Sequence, residues 1–329
     1  MSYNKGLVVT LAELEQFYKG EKIGQIIELM NQTNDMLDDI QWMEANQTDG
    51  HRTRIRTDLP TVYWRRLYRG TPPSKSEWTE VKETTGMLEA VSEMDVEEAK
   101  LYADRVRAFR VSEGKAFTEA MRQKVAQTLF YGNHAKTPDE FNGFAVRYAE
   151  KKNPHVVDAG GTGDNLTSMY AINWGASTVH GIYPKGSIGG LEHEDLGKYM
   201  TQDAKGHKFQ CFGDKYIWRC GLAVRDWRAV VRIVNIDVAA LTKRKGEDGF
   251  IDLQALTIKA KNLMPEQYRN SAIWYCNSEV MTGLEMQSID GGNVHLTYGE
   301  YLGSKAVPAL HGRPIRQCDA IATNEKAVA

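Results

Sequence analysis

The chain has 329 residues, 42% of them hydrophobic and 26% charged, which excludes wholesale disorder and allows one large core or two smaller ones. Its 41 basic and 43 acidic residues give a net charge of -2, which excludes whole-molecule attraction to nucleic acid but not a local basic patch. No stretch approaches the roughly 20 apolar residues of a membrane helix.

The N-terminus lacks the apolar run and cleavage site of a secretory signal. Cys211, Cys220, Cys276 and Cys318 are scattered without a CxxC pair, which fits reduced thiols in a soluble intracellular protein.

In chain order, Thr10 is a good N-cap for "LAELEQFY", with Glu13 at the capping-box position. Ile23, Ile26, Ile27, Met30, Leu37 and Ile40 recur at helical spacing, so residues 10–45 are predicted helical, with an interruption near Gly20 or Gly24. The period changes at "HRTRIRTDLPTVYWRRLYRG". Its alternation up to Pro60, a turn-rich "TPPSKSEW" and a returning "TEVKETTGMLEA" predict a long β-hairpin over 51–90.

Helices resume with Asp95 and Glu98 as a capping box, ahead of Val96, Ala99, Tyr102, Val106 and Phe109 on one side. Ser112 is predicted to cap a second helix carrying Phe117, Met121, Val125 and Leu129 and stopping at Gly132. "TPDE" at 137–140 predicts another short helix.

From Pro154 to about Val238 the chain is β-rich and punctuated by glycine, through "STVHGIYP", "KFQCFGDKYIWRCGLAV" and "AVVRIVNIDV". Asp252 then opens a helix through Leu253, Leu256, Ala260 and Leu263. "SAIWYCN" reads as a buried strand, Ser278 as the cap of "EVMTGLEMQS", and "VHLTY" and "HGRPIRQCDAI" as late strands. The class is α+β, without βαβ alternation.

"VVDAGGTGDN" (156–165) is the segment most like a cofactor loop, and it raises the alternative of an S-adenosylmethionine-dependent methyltransferase. Asp158, Gly160, Gly161 and Gly163 come near the glycine pattern, but the spacing is one residue short. "LTSMYAINWG" is a poor helix, and "STVHGIYP" ends without the acid that would hold a ribose. A structural turn is the expectation. "YPKGSIGG" fails the phosphate-loop pattern because Lys185 precedes its glycine. Glu192, His193, Glu194 and Asp195 in "EHEDLG" read as a solvated turn, because four successive polar residues cannot all face one ion. There is no GxSxG, and Cys276 lies in an apolar strand that silences a thiol. No catalytic, cofactor or metal residue is predicted.

The basic hairpin carries more weight. Arg52, Arg54 and Arg56 share one face of an extended strand, and Trp64, Arg65, Arg66 and Arg69 follow, interleaved with Tyr63 and Tyr68. Arginine beside aromatics suits a binding surface, and so much Trp and Tyr would leave apolar area exposed in a monomer. These seven residues are the expected intersubunit contact, with a nucleic-acid-binding strand as the alternative.

The order of parts resembles a tailed-phage major capsid protein of the Hong Kong 97 type. The C-terminal "LHGRPIRQCDAIA", with Leu310, Gly312, Pro314, Ile315, Asp319, Ala320 and Ile321, is similar to the closing stretch of many such chains. "FYGN", "DAGGTG", "GIYPKGSIGGLEHEDLG", "GLAVRDWRAVVRIVNID" and "SAIWYCN" resemble capsid proteins of short-tailed phages such as the Bordetella tropism-switching phage and Salmonella phage epsilon 15. The resemblance covers residues from about 35 to 325.

It implies an N-terminal arm over 1–50, an extended β-hairpin loop over 51–90, and a peripheral domain with a long helix over 91–153. A mainly axial domain follows over 154–270, and residues 271–329 return through both. It further implies self-assembly as hexamers and pentamers, an icosahedral shell around packaged double-stranded DNA, and a virion location after assembly in the host cytoplasm. A cement or decoration protein, a portal and a scaffold would be partners, with DNA touched non-specifically on the inner face. Neither cofactor, membrane nor crosslink is implied. Gly160, Gly161, Gly163, Gly312 and Pro314 are expected to shape turns.

Overall fold

The computed structural model describes residues 32–102, 106–290, 296–301 and 304–328; the helix predicted from Thr10 lies, up to residue 31, outside the described residues. A short helix α1 (Met36–Asp39) is followed by strand β1 (Trp42–Glu44), so the helical reading to residue 45 fails after Asp39. Ile40 turns extended, with ψ 123°, and Trp42–Glu44 pair in parallel with Gly181–Tyr183. A distant sheet partner overrides local helical spacing.

One sheet is built on two long strands. β2 (Gly50–Asp58) pairs antiparallel with the first part of β3 (Glu77–Asp95), from Gly50 opposite Thr84 to Asp58 opposite Glu77. β3 then continues along β8 (Lys208–Val224), from Thr85 opposite Gly221 to Asp95 opposite Cys211. The other edge of β8 is shared end to end by β7 (Leu191–Gln202) and β6 (Val179–Tyr183). The strand order is β1-β6-β8-β3-β2, with β7 also on β8. "EHEDLG" therefore lies in strand β7, not in a solvated turn. The long open edge of β8 supplies backbone partners that a local reading cannot see.

Asp95 accepts from the Glu97 N–H at 2.8 Å, ahead of α2 (Val96–Tyr102). α3 (Val106–Tyr131) is one helix of 26 residues; Ser112 lies within it and does not begin a new one. Both sides of Ser112 are anchored to β8, by Arg110 on Asp214 and by Phe117 stacked on Tyr216 at 5.8 Å. Gly114 lies between them, where a Cβ would meet the Tyr216 hydroxyl at 2.5 Å; this close approach explains a glycine inside a helix, which costs about 1 kcal/mol relative to alanine.

α3 stops at Gly132, whose N–H donates to the Thr128 carbonyl at 2.8 Å. "TPDE" forms a turn closed by Glu140 N–H on the Thr137 carbonyl at 3.0 Å. The predicted helix cannot extend, because Phe141 and then α4 (Phe144–Arg147) are drawn into the core.

The second sheet has the order β11-β12-β13-β10-β5-β9-β4. Its strands are β4 (Val156–Asp158), β5 (Leu166–Ile172), β9 (Val230–Asp237), β10 (Ile273–Cys276), β11 (Leu296–Tyr301), β12 (Ser304–Leu310) and β13 (Arg313–Gln317). β4–β9 and β10–β13 are parallel and the other pairs antiparallel. "LTSMYAI" is thus a strand.

Alternate residues of β5 face two cores. Met169 and Ala171 pack with residues of α5 (Leu253–Leu263) and α7 (Ser278–Asp290), whereas Tyr170 and Ile172 pack with Leu129 and Phe130 of α3. Burial on both faces gives the strand its lack of polar alternation. Asp252 caps α5, accepting from the Ala255 N–H at 2.9 Å. Asn277, not Ser278, caps α7, accepting from the Val280 N–H at 2.9 Å. α6 (Glu266–Arg269) leads into β10. Residues 154–270 contribute strands to both sheets.

The C-terminal segment crosses the middle of the fold. Glu325 exchanges backbone hydrogen bonds with Leu166, and its buried carboxylate accepts from Arg232 Nη2 at 2.8 Å, Ser168 Oγ at 2.6 Å and Tyr131 Oη at 2.5 Å. One side chain thereby joins α3, β5 and β9. No helix among the described residues is long and apolar enough to cross a membrane.

Candidate intersubunit surface

The hairpin is stiff at its root and bare at its tip. Cross-strand pairing places Arg52 opposite Lys82, Arg54 opposite Glu80 and Arg56 opposite Trp78. All three arginines are exposed, while Thr53 and Ile55 between them are half-buried, the alternation of an extended strand. Arg52 pairs with Glu80 at 3.1 Å, and the Arg54 guanidinium lies 4.5 Å from the Trp78 ring centre. Arg56, Arg66 and Arg69 form no ion pair among the described residues.

Residues 59–76 carry no regular secondary structure. Three internal bonds shape them: Arg65 Nε donates to the Arg69 carbonyl at 2.9 Å, the Arg69 N–H to the Arg66 carbonyl at 3.3 Å, and Ser74 Oγ to the Thr61 carbonyl at 2.7 Å. Leu59, Val62, Trp64, Leu67 and Tyr68 are nearly or fully exposed, Trp64 at 105% of its reference area. Among the described residues nothing covers this apolar tip, and a large exposed apolar patch marks an interaction surface.

At the root, buried Glu83 receives both Arg147 Nη1 and Nη2, at 2.7 and 2.5 Å. A fork of this kind fixes direction as well as position. It ties β3 to α4, residues 64 apart in sequence, and nothing in local spacing announces it. The same holds for Arg110, which binds Asp214 at 2.8 and 2.7 Å and Asp195 at 2.8 Å. His193 Nε2 lies 2.9 Å from the same Asp214. Of "EHEDLG", Asp195 thus helps Asp214 hold α3 against the sheet, while Glu192 pairs with Arg219 of β8.

The glycine turn after β4 is braced through Asp158 and Gly161, while Gly160 and Gly163 face open space. Gly160 and Gly163 adopt φ +84° and +111°, closed to most side-chained residues. At Gly161 a Cβ would meet the Asn235 carbonyl oxygen at 2.4 Å. Asp158 accepts from Gly160 N–H at 3.0 Å and Asn235 Nδ2 at 2.8 Å, and Lys151 Nζ lies 2.9 Å away. Burial alone would raise its carboxyl, but these partners hold it below the usual carboxylate range. A nucleotide-binding turn opens a helix whose N-terminus receives the ligand; this turn opens strand β5.

Gly312, at φ +74°, follows His311 at +53° between β12 and β13, the pair of positive angles a type I′ hairpin turn requires. Pro314 lies buried in β13 opposite Ala309, so it is a strand residue and not, as expected, part of the turn, which His311 and Gly312 make alone. All four cysteines are buried and unpaired; burial pushes the Cys220 thiol up to about 12.

The long helix laid on one sheet, the second sheet behind it and the projecting arm define an α+β phage capsid fold of the Hong Kong 97 type. The chain is similar to a bacteriophage Epsilon15 structure, with 29% identity and a TM-score of 0.77, over 100% of this chain and 99% of that one. The sequence also matches the family of major capsid protein GP7 over residues 19–329, and the chain belongs to that family.

Two more distant likenesses extend over part of the chain. The SrpI encapsulin complex of Synechococcus elongatus PCC 7942 has 12% identity and a TM-score of 0.48, covering 73% of this chain and 99% of that one. The capsid of an empty GTA particle has 10% identity and a TM-score of 0.44, covering 69% and 98%. No curated protein matches.

Proposed function

We propose that copies of this major capsid protein assemble as hexamers and pentamers into an icosahedral shell around packaged double-stranded DNA, with the hairpin lying on a neighbouring subunit. The observation that carries the hairpin's role is its tip, where Trp64, Leu67 and Tyr68 face solvent beside Arg66 and Arg69, which form no ion pair among the described residues. Arginine and aromatics at the centre of a contact, with polar residues around them, are the composition of interface hot spots. The first sheet with α3 would form the peripheral part of the subunit, and the second sheet with α5 and α7 the axial part. Near-neutral net charge suits a lining that DNA touches without sticking, because affinity rises with each phosphate neutralised. A portal, a cement protein and a scaffold belong to the same reading, as does assembly in the host cytoplasm.

Negative-stain microscopy and sedimentation of the expressed chain test assembly; a chain that stays a small monomer with and without a scaffold refutes it. Replacing Arg52, Arg54 and Arg56 together by glutamine is expected to abolish regular shells while the subunit keeps its circular dichroism. Intact shells from that variant refute the hairpin's role.

A further inference from the structure

His51, the second residue of β2, and His180, in β6, are both buried, their rings edge to face with centres 5.7 Å apart. Arg225 follows the end of β8. Its Nη1 donates to the Ala176 carbonyl at 2.8 Å, and its Nη2 lies 2.7 Å from His51 Nε2. On the other side of the same ring, the Asn46 N–H points at Nδ1 at 3.3 Å. Donors therefore face both nitrogens of one imidazole.

A neutral imidazole has one nitrogen able to accept, and an imidazolium has none. A guanidinium donates only, so Nε2 must be the acceptor in the neutral ring. Protonation would turn that atom into an N–H aimed at a cation 2.7 Å away. β2 is bonded to β3 along its length and to Asn46 at its root; the contact that joins it directly to the residue after β8 exists only while His51 is neutral.

Among the described residues, the charged groups facing the two rings are Arg225 and, opposite His51 across the hairpin, Glu83. Glu83 is already held by Arg147, so it is not free to receive a new cation. Lys82 and Asp49 pair with each other at the exposed root, at 2.5 Å. Burial, then Arg225, then His51 itself depress the pKa of His180 to about 4, and burial and Arg225 lower that of His51.

We infer that the His51–His180–Arg225 cluster is an acid-sensitive latch: protonation of the two histidines releases the β2 side of the hairpin root from the β6–β8 end of the sheet, while β3 stays on β8 and the second sheet stays folded. The latch is a property of the unassembled chain. Its effect on subunit contacts rests on the assembly reading, and the test below does not depend on assembly.

Hydrogen exchange of the full, unassembled chain is followed by mass spectrometry from pH 7 to 4, corrected for the intrinsic pH dependence of exchange. Peptides spanning 50–58 are compared with peptides spanning 230–237. Protection of the first is expected to fall at least tenfold below about pH 5 while the second is unchanged. In the double variant His51→Gln with His180→Gln, where the glutamine oxygen can still accept from Arg225, the fall should disappear. Unchanged protection of 50–58 down to pH 4, an equal fall in the double variant, or loss of 230–237 in step with it would each overturn the latch. Should the variant fail to fold, carbon-13 titration of the histidines in the natural chain decides. Both rings are expected to titrate below 6 in step with the loss of protection, and either ring charging at 6.5 or above with 50–58 still protected refutes it.

Discussion

Replacing Glu325 by alanine should remove about 4 kcal/mol of stability. The carboxylate is 8% exposed and its partner Arg232 4%. Without Glu325, the guanidinium keeps only neutral acceptors: Ser168 Oγ at 3.0 Å and the Tyr148 and Ala145 carbonyls at 3.0 and 3.3 Å. Breaking one side of a buried ion pair costs roughly 3–5 kcal/mol, because the other charge stays buried. The Tyr131 and Ser168 hydroxyls lose an acceptor as well, although that loss overlaps with the first and does not simply add.

Glu325→Gln keeps an acceptor for the hydroxyls and loses the charge, so its cost should be about half as large. An exposed pair supplies the control. Glu97 meets Lys100 at 2.6 Å with 77% and 65% exposure, and Glu97→Ala should cost well under 1 kcal/mol. Urea denaturation of the unassembled chain measures all three. With a slope of about 3 kcal/mol/M, Glu325→Ala moves the midpoint down by about 1.3 M. A shift no larger than that of Glu97→Ala would refute the claim that the C-terminal segment is clamped through this charge.

Two further outcomes are expected. Gly160→Ala, at φ +84° with open space around it, should cost about 1 kcal/mol by strain alone, whereas Gly161→Ala should cost more because its Cβ meets a backbone oxygen at 2.4 Å; equal denaturation midpoints would count against the packing. Global stability should also fall as pH drops below 6.5. His180 stays neutral in the fold down to about pH 4 while the unfolded chain takes up a proton near 6.5, so its stabilisation is complete above 6.5 and lost towards 4, roughly 3 kcal/mol in all. Asp35 and Asp39, raised by burial, act in the opposite sense close to pH 4. His180→Phe should flatten the slope between pH 6 and 5, and an unchanged slope in denaturation midpoints would exclude His180 as its source.

What could be read from the sequence was whatever repeats locally. The arginine alternation at 52, 54 and 56 marks an exposed strand because its period is set by the pleat alone. "KFQCFGDKYIWRCGLAV" matches β8 from end to end, and the Asp252 cap needs only the next three residues. The errors lie where a distant strand or helix decides. Trp42–Glu44 is extended because β6 pairs with it, the acidic "EHEDLG" because β8 does, and α3 runs through Ser112 because β8 holds both its halves. The polar groups at the hairpin root were invisible for the same reason: Glu83 and Arg147, or His51 and Arg225, are 64 and 174 residues apart, and no spacing rule links them.

β3 is both arm and sheet, a single strand of 19 residues. Its outer part is the returning side of the hairpin, and its inner part is bonded along β8 from Thr85 to Asp95. Antiparallel ladder bonds run across the strands, so a pull along the hairpin strains all of the β3–β8 bonds at once and cannot open them one after another. A load applied along the hairpin is therefore borne in shear by the middle of the subunit, and the arm behaves as a tension member anchored in the sheet.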